Sequence, residues 1–219
     1  MAFIQSAQIN TSGTSAALAY TSNNAAGNLL ICAIRRGATI DPTSITDSRG
    51  NTWVLARKQT YNGGIDAFWV YHALSCAAGA NTLTVTWAAS VSIRIAILEY
   101  SDFAATGAVL DQVTGAEGFS TTPNSGSVTT TVATELLFSA ASVANSFAFT
   151  AGASYTEREE VATKIAAEDR NVTATGTYDG TWTLSAIDNW GCALATYMAA
   201  ENDGPLIGSR ASISVPLST

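Results

Sequence analysis

Two stretches of this chain, "ANTLTVTWAASVSIRIAILEY" at 80–100 and "GTWTLSAIDNWGCALATY" at 180–197, share one plan. Each is a Thr-rich alternating segment carrying a Trp, then a short connection, then an apolar segment closing on Tyr. In "TLTVTW", Leu83, Val85 and Trp87 fall on one face and Thr82, Thr84 and Thr86 on the other, the period of a strand with one wet side. "SIRIAILEY" is apolar on both faces apart from Arg94 and reads as a strand in the middle of a sheet. A chain that states such a strand pair twice is confined to a β architecture built from two related halves.

The rest of the sequence follows this division. Turn signals such as "NNAAGN", "DSRGN", "YNGG" and "AAGAN" separate β-branched and aromatic segments of strand length. When residues 1–103 are laid over residues 109–199, the elements keep one order. "SGTSAALAYT" answers to "SGSVTTTVA", "GNLLICAI" to "TELLFSAA", "TWVLARK" to "SYTEREE", and "DAFWVYHA" to "KIAAEDRNV". The correspondence is one of order and pattern, with little identity. It predicts an all-β, jelly-roll-like two-sheet sandwich of about ten strands built from an internal duplication. Residues 1–203 then form a single domain, with Trp87 and Trp182 as equivalent plugs of one core, and 204–219 form an extended C-terminal tail. In "EREEVATKIAAEDR", Val161 and Ile165 are four apart, which suits a short amphipathic helix; the phase of the repeat favours a hairpin.

Composition limits the function classes. Only 12% of the 219 residues are charged, so Thr, Ser, Asn and Gly must cover much of the surface, as in extracellular or virion β-proteins. The net charge is -7, and the 10 Lys and Arg are scattered, which argues against nucleic acid as a partner. No apolar run is long enough to span a bilayer, and "MAFIQSAQINTSG" lacks the basic and apolar regions of a signal peptide. The expectation is export by another route, a removed leader, or assembly inside a cell with release by lysis. Cys32, Cys76 and Cys192 are odd in number and widely spaced, and read as buried free thiols.

Catalytic, cofactor and metal sites are not expected. His72 is the only histidine, no GxSxG elbow accompanies it, and it reads as a strand histidine with a satisfied hydrogen bond. The paired carboxylates of a jelly-roll glycosidase, an ExDxE strand, are missing. Glu157, Glu159, Glu168 and Asp169 read instead as cross-strand ion-pair partners on a solvated face. "TDSRGN" at 46–51 suits a turn, with calcium as the other use of the same oxygens. Among the aromatics, Trp53, Trp87 and Trp182 run in phase with apolar neighbours and belong in a core. Trp69, in the opposite phase from Phe68, and the loop-proximal Tyr61 and Trp190 are the candidates for exposure and for stacking on a sugar ring. In the tail, Leu206, Ile207, Ile213, Val215 and Leu217 form a candidate assembly segment, held by its own domain or by a neighbouring subunit; Pro216 discourages a central-strand position.

The string "GNLLICAI", "ITDSRGNTWVLA", "AAGANTLTVTW", "AILEYSDF", "GSVTTT", "ELLFSAA", "EDR" and "LATY" resembles the jelly-roll β-sandwich modules of phage structural proteins and of large secreted bacterial surface proteins, over residues 3–199. The resemblance implies a non-enzymatic building or binding block and brings no catalytic residues with it. The expected function is therefore that of a virion component, a capsid decoration or cement protein or a tail protein. Such a protein is made in the host cytoplasm and contacts identical subunits, a capsid protein or a tail protein. The alternative is a carbohydrate-binding or adhesion module of a secreted bacterial protein, extracellular or at the cell surface, with surface glycans as its partner.

Overall fold

A computed structural model of the chain describes residues 1–103 and 109–200, and these form strands and turns with no helix among the described residues. The first half contains β1 (Ala2–Ala19), β2 (Leu29–Arg36), β3 (Ser44–Asp47), β4 (Trp53–Tyr61), β5 (Asp66–Ala73) and β6 (Thr82–Ser101). The second contains β7 (Leu110–Ser120), β8 (Asn124–Thr129), β9 (Thr134–Val143), β10 (Phe149–Ala151), β11 (Thr156–Val161), β12 (Ile165–Thr173), β13 (Thr177–Leu184) and β14 (Asp188–Met198). The ambiguous segment is a hairpin, with Val161 paired to Ile165 across a turn in which Ala162 and Thr163 are both left-handed (φ 53° and 50°).

All pairings are antiparallel, and the two halves use the same order of partners. One five-strand path runs β1-β6-β2-β5-β4, the other β7-β14-β9-β12-β11. β1 and β6 are long enough to serve twice. Their inner parts belong to the main sheet, while Ser15–Ala19 pairs with Thr82–Thr86 and β3 adds to the same stretch of β6. In the second half this outer layer is the separate sheet β10-β13-β8. The opening strings thus map onto β6 and onto β13 with β14.

Four apolar clusters result among the described residues, where the sequence predicted one core, the smallest being Leu137, Val172 and Leu194 in the second half. Leu18, Leu83, Val85 and Trp87 of the first outer layer pack on Leu30, Cys32, Ile34 and Ile95 of the first main sheet. Phe149, Trp182 and Leu184 pack on Ala141, Val143 and Cys192 in the second half. The largest core lies between the two main sheets, where Leu29, Ile31, Phe68, Val70 and Leu98 meet Leu136, Phe138, Val161, Ile165 and Tyr197. The molecule is an all-β sandwich of four layers, and the fourteen strands among the described residues exceed the expected ten or so. Trp87 and Trp182 occupy comparable places in separate cores. The layering also explains why all eight residues of β2 are buried: successive side chains point to opposite faces, and both faces are covered. Each fully buried Leu, Ile or Phe contributes ~1.5–3 kcal/mol, which favours the fold only because both sides of each main sheet find a partner.

A buried carboxylate fixes one loop onto this frame. Glu99 on β6 accepts hydrogen bonds from Asn24 Nδ2 (2.7 Å), Asn28 Nδ2 (2.7 Å), the Ala25 amide (2.9 Å) and Gln5 Nε2. Four donors replace the water that burial removes.

Candidate functional site

The strand order brings several connections to one end of the shared core: the loop after Arg36, the β4–β5 turn, and the connections following β7, β9, β11 and β13. Cations gather at this end. β2 is apolar along its length until Arg35, which stands directly opposite Arg94 of β6 in the register. Both lie on the face directed toward the second half. Arg35 Nη2 bonds Asp66 Oδ1 at 3.2 Å in a buried ion pair and also donates to the Val143 carbonyl, while its Nε donates to the Tyr61 hydroxyl at 3.3 Å. Lys164, at the start of the second strand of the β11–β12 hairpin, donates from Nζ to the carbonyl of the next residue, Ala144. Its own carbonyl accepts from the Val143 amide (3.0 Å) and from Ser142 Oγ (2.8 Å).

Partial burial lowers the affinity of the Arg94 guanidinium for its proton, and Arg35 adds to that effect. Burial likewise lowers Lys164, with further contributions from Arg35 and Arg94. Around this end stand Ile40, Ile65, Phe119 and Ile187, each more than half exposed. The site therefore combines partly desolvated positive charge with exposed apolar side chains.

The structure corrects the exposure expected of the three aromatic candidates and does not bring them together. Trp69 is 0% exposed; its indole N–H donates to Asp41 at 2.8 Å beneath the β2–β3 loop, and Lys58 lies over its ring. Tyr61, also 0% exposed, lies in the shared core, with its hydroxyl 2.8 Å from Ser142 Oγ. Trp190 is 7% exposed, covers Gly118 of β7 and donates to Ser120 Oγ at 2.9 Å. Trp69 does lie in the opposite phase from Phe68, which packs in the shared core. Being out of phase with one core, however, means being in phase with another when both faces of a sheet are covered. The tail candidates Leu206, Ile207, Ile213, Val215 and Leu217 lie outside the described residues.

Other sequence candidates resolve into structure. Asp47 Oδ1 accepts from the amides of Arg49 (3.0 Å) and Asn51 (3.1 Å), and Oδ2 from Asn51 Nδ2 (2.9 Å) and Trp53 Nε1 (3.0 Å), which is the turn reading of "TDSRGN". His72 is buried edge-on to Tyr197, but its Nδ1 has no partner among the described residues, contrary to the satisfied hydrogen bond expected. Burial lowers its pKa and keeps the ring neutral. Arg158 forms a bidentate pair with Asp169, as cross-strand pairing predicted. Neither Asp169, 5% exposed, nor Glu168 lies on the solvated face expected. Glu168 is 0% exposed inside the second half, with Oε2 accepting from the Gly152 amide at 2.9 Å and Oε1 unpartnered, and burial pushes its carboxyl up to about 8. An open groove of about 360 Å³, lined by Asn124, Gly152, Thr181 and Trp182 among others, lies on the far side of Gly152. Among the described residues no three His, Cys, Asp or Glu side chains gather as a metal cage.

Sequence reading did not single out Arg35 and Lys164, and it noted Arg94 only as the polar exception in an apolar strand. That exception was the available signal, since an arginine interrupting "SIRIAIL" must find either solvent or a partner. No family model, no curated protein and no solved structure matches this chain.

Proposed function

We propose that the chain is a non-enzymatic structural module of a virion, a capsid decoration or cement protein or a tail component, that works by rigid display and by contacts with identical subunits. The observation that carries the reading is the exposure of Ile65, Phe119 and Ile187 in the connections at one end of the four-layer sandwich, each more exposed than Ile4, Val54 and Leu55 elsewhere. Exposed apolar side chains grouped at one end favour protein contacts. The equal strand order of the two halves supports an internal duplication of a jelly-roll-like unit. The resemblance of its strings to phage and bacterial-surface modules points in the same direction. The tail from 204 to 219 provides a second contact by strand addition to a neighbour. Trp69, Tyr61 and Trp190 are buried, so the preference for the assembly reading over the glycan-binding alternative rests partly on their burial.

The test is the mass of the full chain in solution by light scattering, with and without residues 204–219, and with Ile65→Asp and Phe119→Asp. The reading expects an oligomer that shifts toward monomer in each variant. A monodisperse monomer whose mass none of these changes alters would overturn subunit contact through either surface.

A further inference from the structure

We propose that the loop end of the shared core holds a small tetrahedral oxyanion, phosphate or sulfate, between Arg94 and Lys164, with Arg35 behind them. The starting point is a charge imbalance. Arg35 and Arg94 are direct cross-strand neighbours, a placement that is destabilising for like charges unless something compensates. Asp66 pairs with Arg35, buried on both sides, and also acts on Lys164, but makes no ion pair with Arg94. Arg94 has no ion-pair partner among the described residues, and its Nε is buried without a hydrogen-bond acceptor. That nitrogen lacks the water it would have outside and the acceptor it needs inside, while the side chain as a whole is half-buried.

Lys164 brings a third positive charge to the same place from the opposite half. Arg35 Nη2 and Lys164 Nζ bond the consecutive carbonyls of Val143 and Ala144, so the two cationic groups converge on adjacent peptide units. Asp188, the other carboxylate acting on Lys164, is held in place by the Asn145 amide at 2.7 Å and by Asn145 Nδ2 at 2.9 Å and makes no ion pair with Arg94. The turn that delivers Lys164 is itself in an unfavourable conformation: Ala162 and the β-branched Thr163 both hold positive φ, which non-glycine residues rarely adopt. Arg35, Arg94 and Lys164 thus outnumber the two carboxylates that act on them, Asp66 and Asp188, in a protein of net charge -7. A guanidinium and an ammonium together offer the donors that a phosphate or sulfate accepts.

Inorganic phosphate and sulfate are the probes, titrated into the full chain against sodium chloride at matched ionic strength. Binding is read by calorimetry and by the rise in thermal midpoint that selective binding to the folded state produces. The proposal expects a rise with phosphate or sulfate beyond that with chloride. Arg94→Gln and Lys164→Gln should each weaken binding by about tenfold or more, the loss of one charge-assisted contact. Without the anion, Arg94→Gln should melt no lower than the unsubstituted chain, because it removes an uncompensated charge; this distinguishes lost binding from lost folding. An equal rise with chloride, or phosphate binding that survives both substitutions, would refute the site.

Discussion

Replacing Glu168 with Gln perturbs a single buried carboxyl while keeping its shape, and its effect can be worked out from the structure. The residue is 0% exposed, between the main sheet and the outer layer of the second half, with one oxygen bonded to the Gly152 amide and the other unpartnered. Burial raises its pKa from 4.5 to about 8, so the folded chain retains a proton that the unfolded chain releases. The sign follows directly. The group imposes no penalty below about pH 4.5, costs progressively more as pH rises, and reaches its full cost above about pH 8. At about 1.4 kcal/mol per pH unit, the whole window amounts to about 5 kcal/mol. Glu135, raised to about 7 by burial, acts in the same direction but is largely spent by neutral pH. His72, lowered by burial, acts in the opposite direction and only as pH falls below its ordinary 6.5. The interval from pH 7 to pH 8 therefore isolates Glu168. Urea unfolding across it should show a loss of about 1 kcal/mol in the unsubstituted chain and a nearly flat line for Glu168→Gln. If the two proteins show the same slope, Glu168 is already ionised in the folded state and the reasoning from its burial fails.

Other substitutions test other parts of the fold. Thr163→Gly relieves a left-handed β-branched residue and should stabilise the chain by about 1 kcal/mol in denaturant melts, with the hairpin retained. Arg35→Met leaves Asp66 buried without its cation and should destabilise by about 3–5 kcal/mol; a neutral result in the same melts would mean that Asp66 reaches solvent. Gly118→Ala would place a Cβ 2.4 Å from the Trp190 ring and should cost about 1–3 kcal/mol, with a change in near-ultraviolet circular dichroism as the indole shifts. Phe119→Ser, at an exposed position, should leave stability within about 0.5 kcal/mol while weakening self-association.

Much of the fold was legible along the chain. The alternation in "TLTVTW", the continuous apolar run "LLICAI" and the turn dipeptides each report on a few consecutive residues, and the strands lie where those signals place them. The hairpin at "EREEVATKIAAEDR" was open to a helical reading from spacing alone; the phase of the repeat pointed to strands, and the β11–β12 register carries them. Strand number was less legible, because β1 and β6 each serve two layers without a break in sequence, whereas the second half divides the same path at Thr121 and Ser185. The candidate site was the least legible part. Arg35, Arg94 and Lys164 come from three separate segments, and only the register of β2 on β6 and the packing of one half on the other make them neighbours.

The sequence by itself determined that this chain is all-β, where its strands run, which residues share a strand face, and that its two halves follow one order. These properties depend on backbone preference and on the two-residue period of side-chain direction, both local to the chain. Only the tertiary structure decided what covers each face. Period identifies the residues that point together but not whether water or another sheet lies beyond them. Trp69, Tyr61 and Trp190 became core because each main sheet is covered on both sides. For the same reason the two recurrent tryptophans, Trp87 and Trp182, fill two separate cores, and the charge left uncompensated where the halves meet is the arginine that interrupts the first of the recurrent strings.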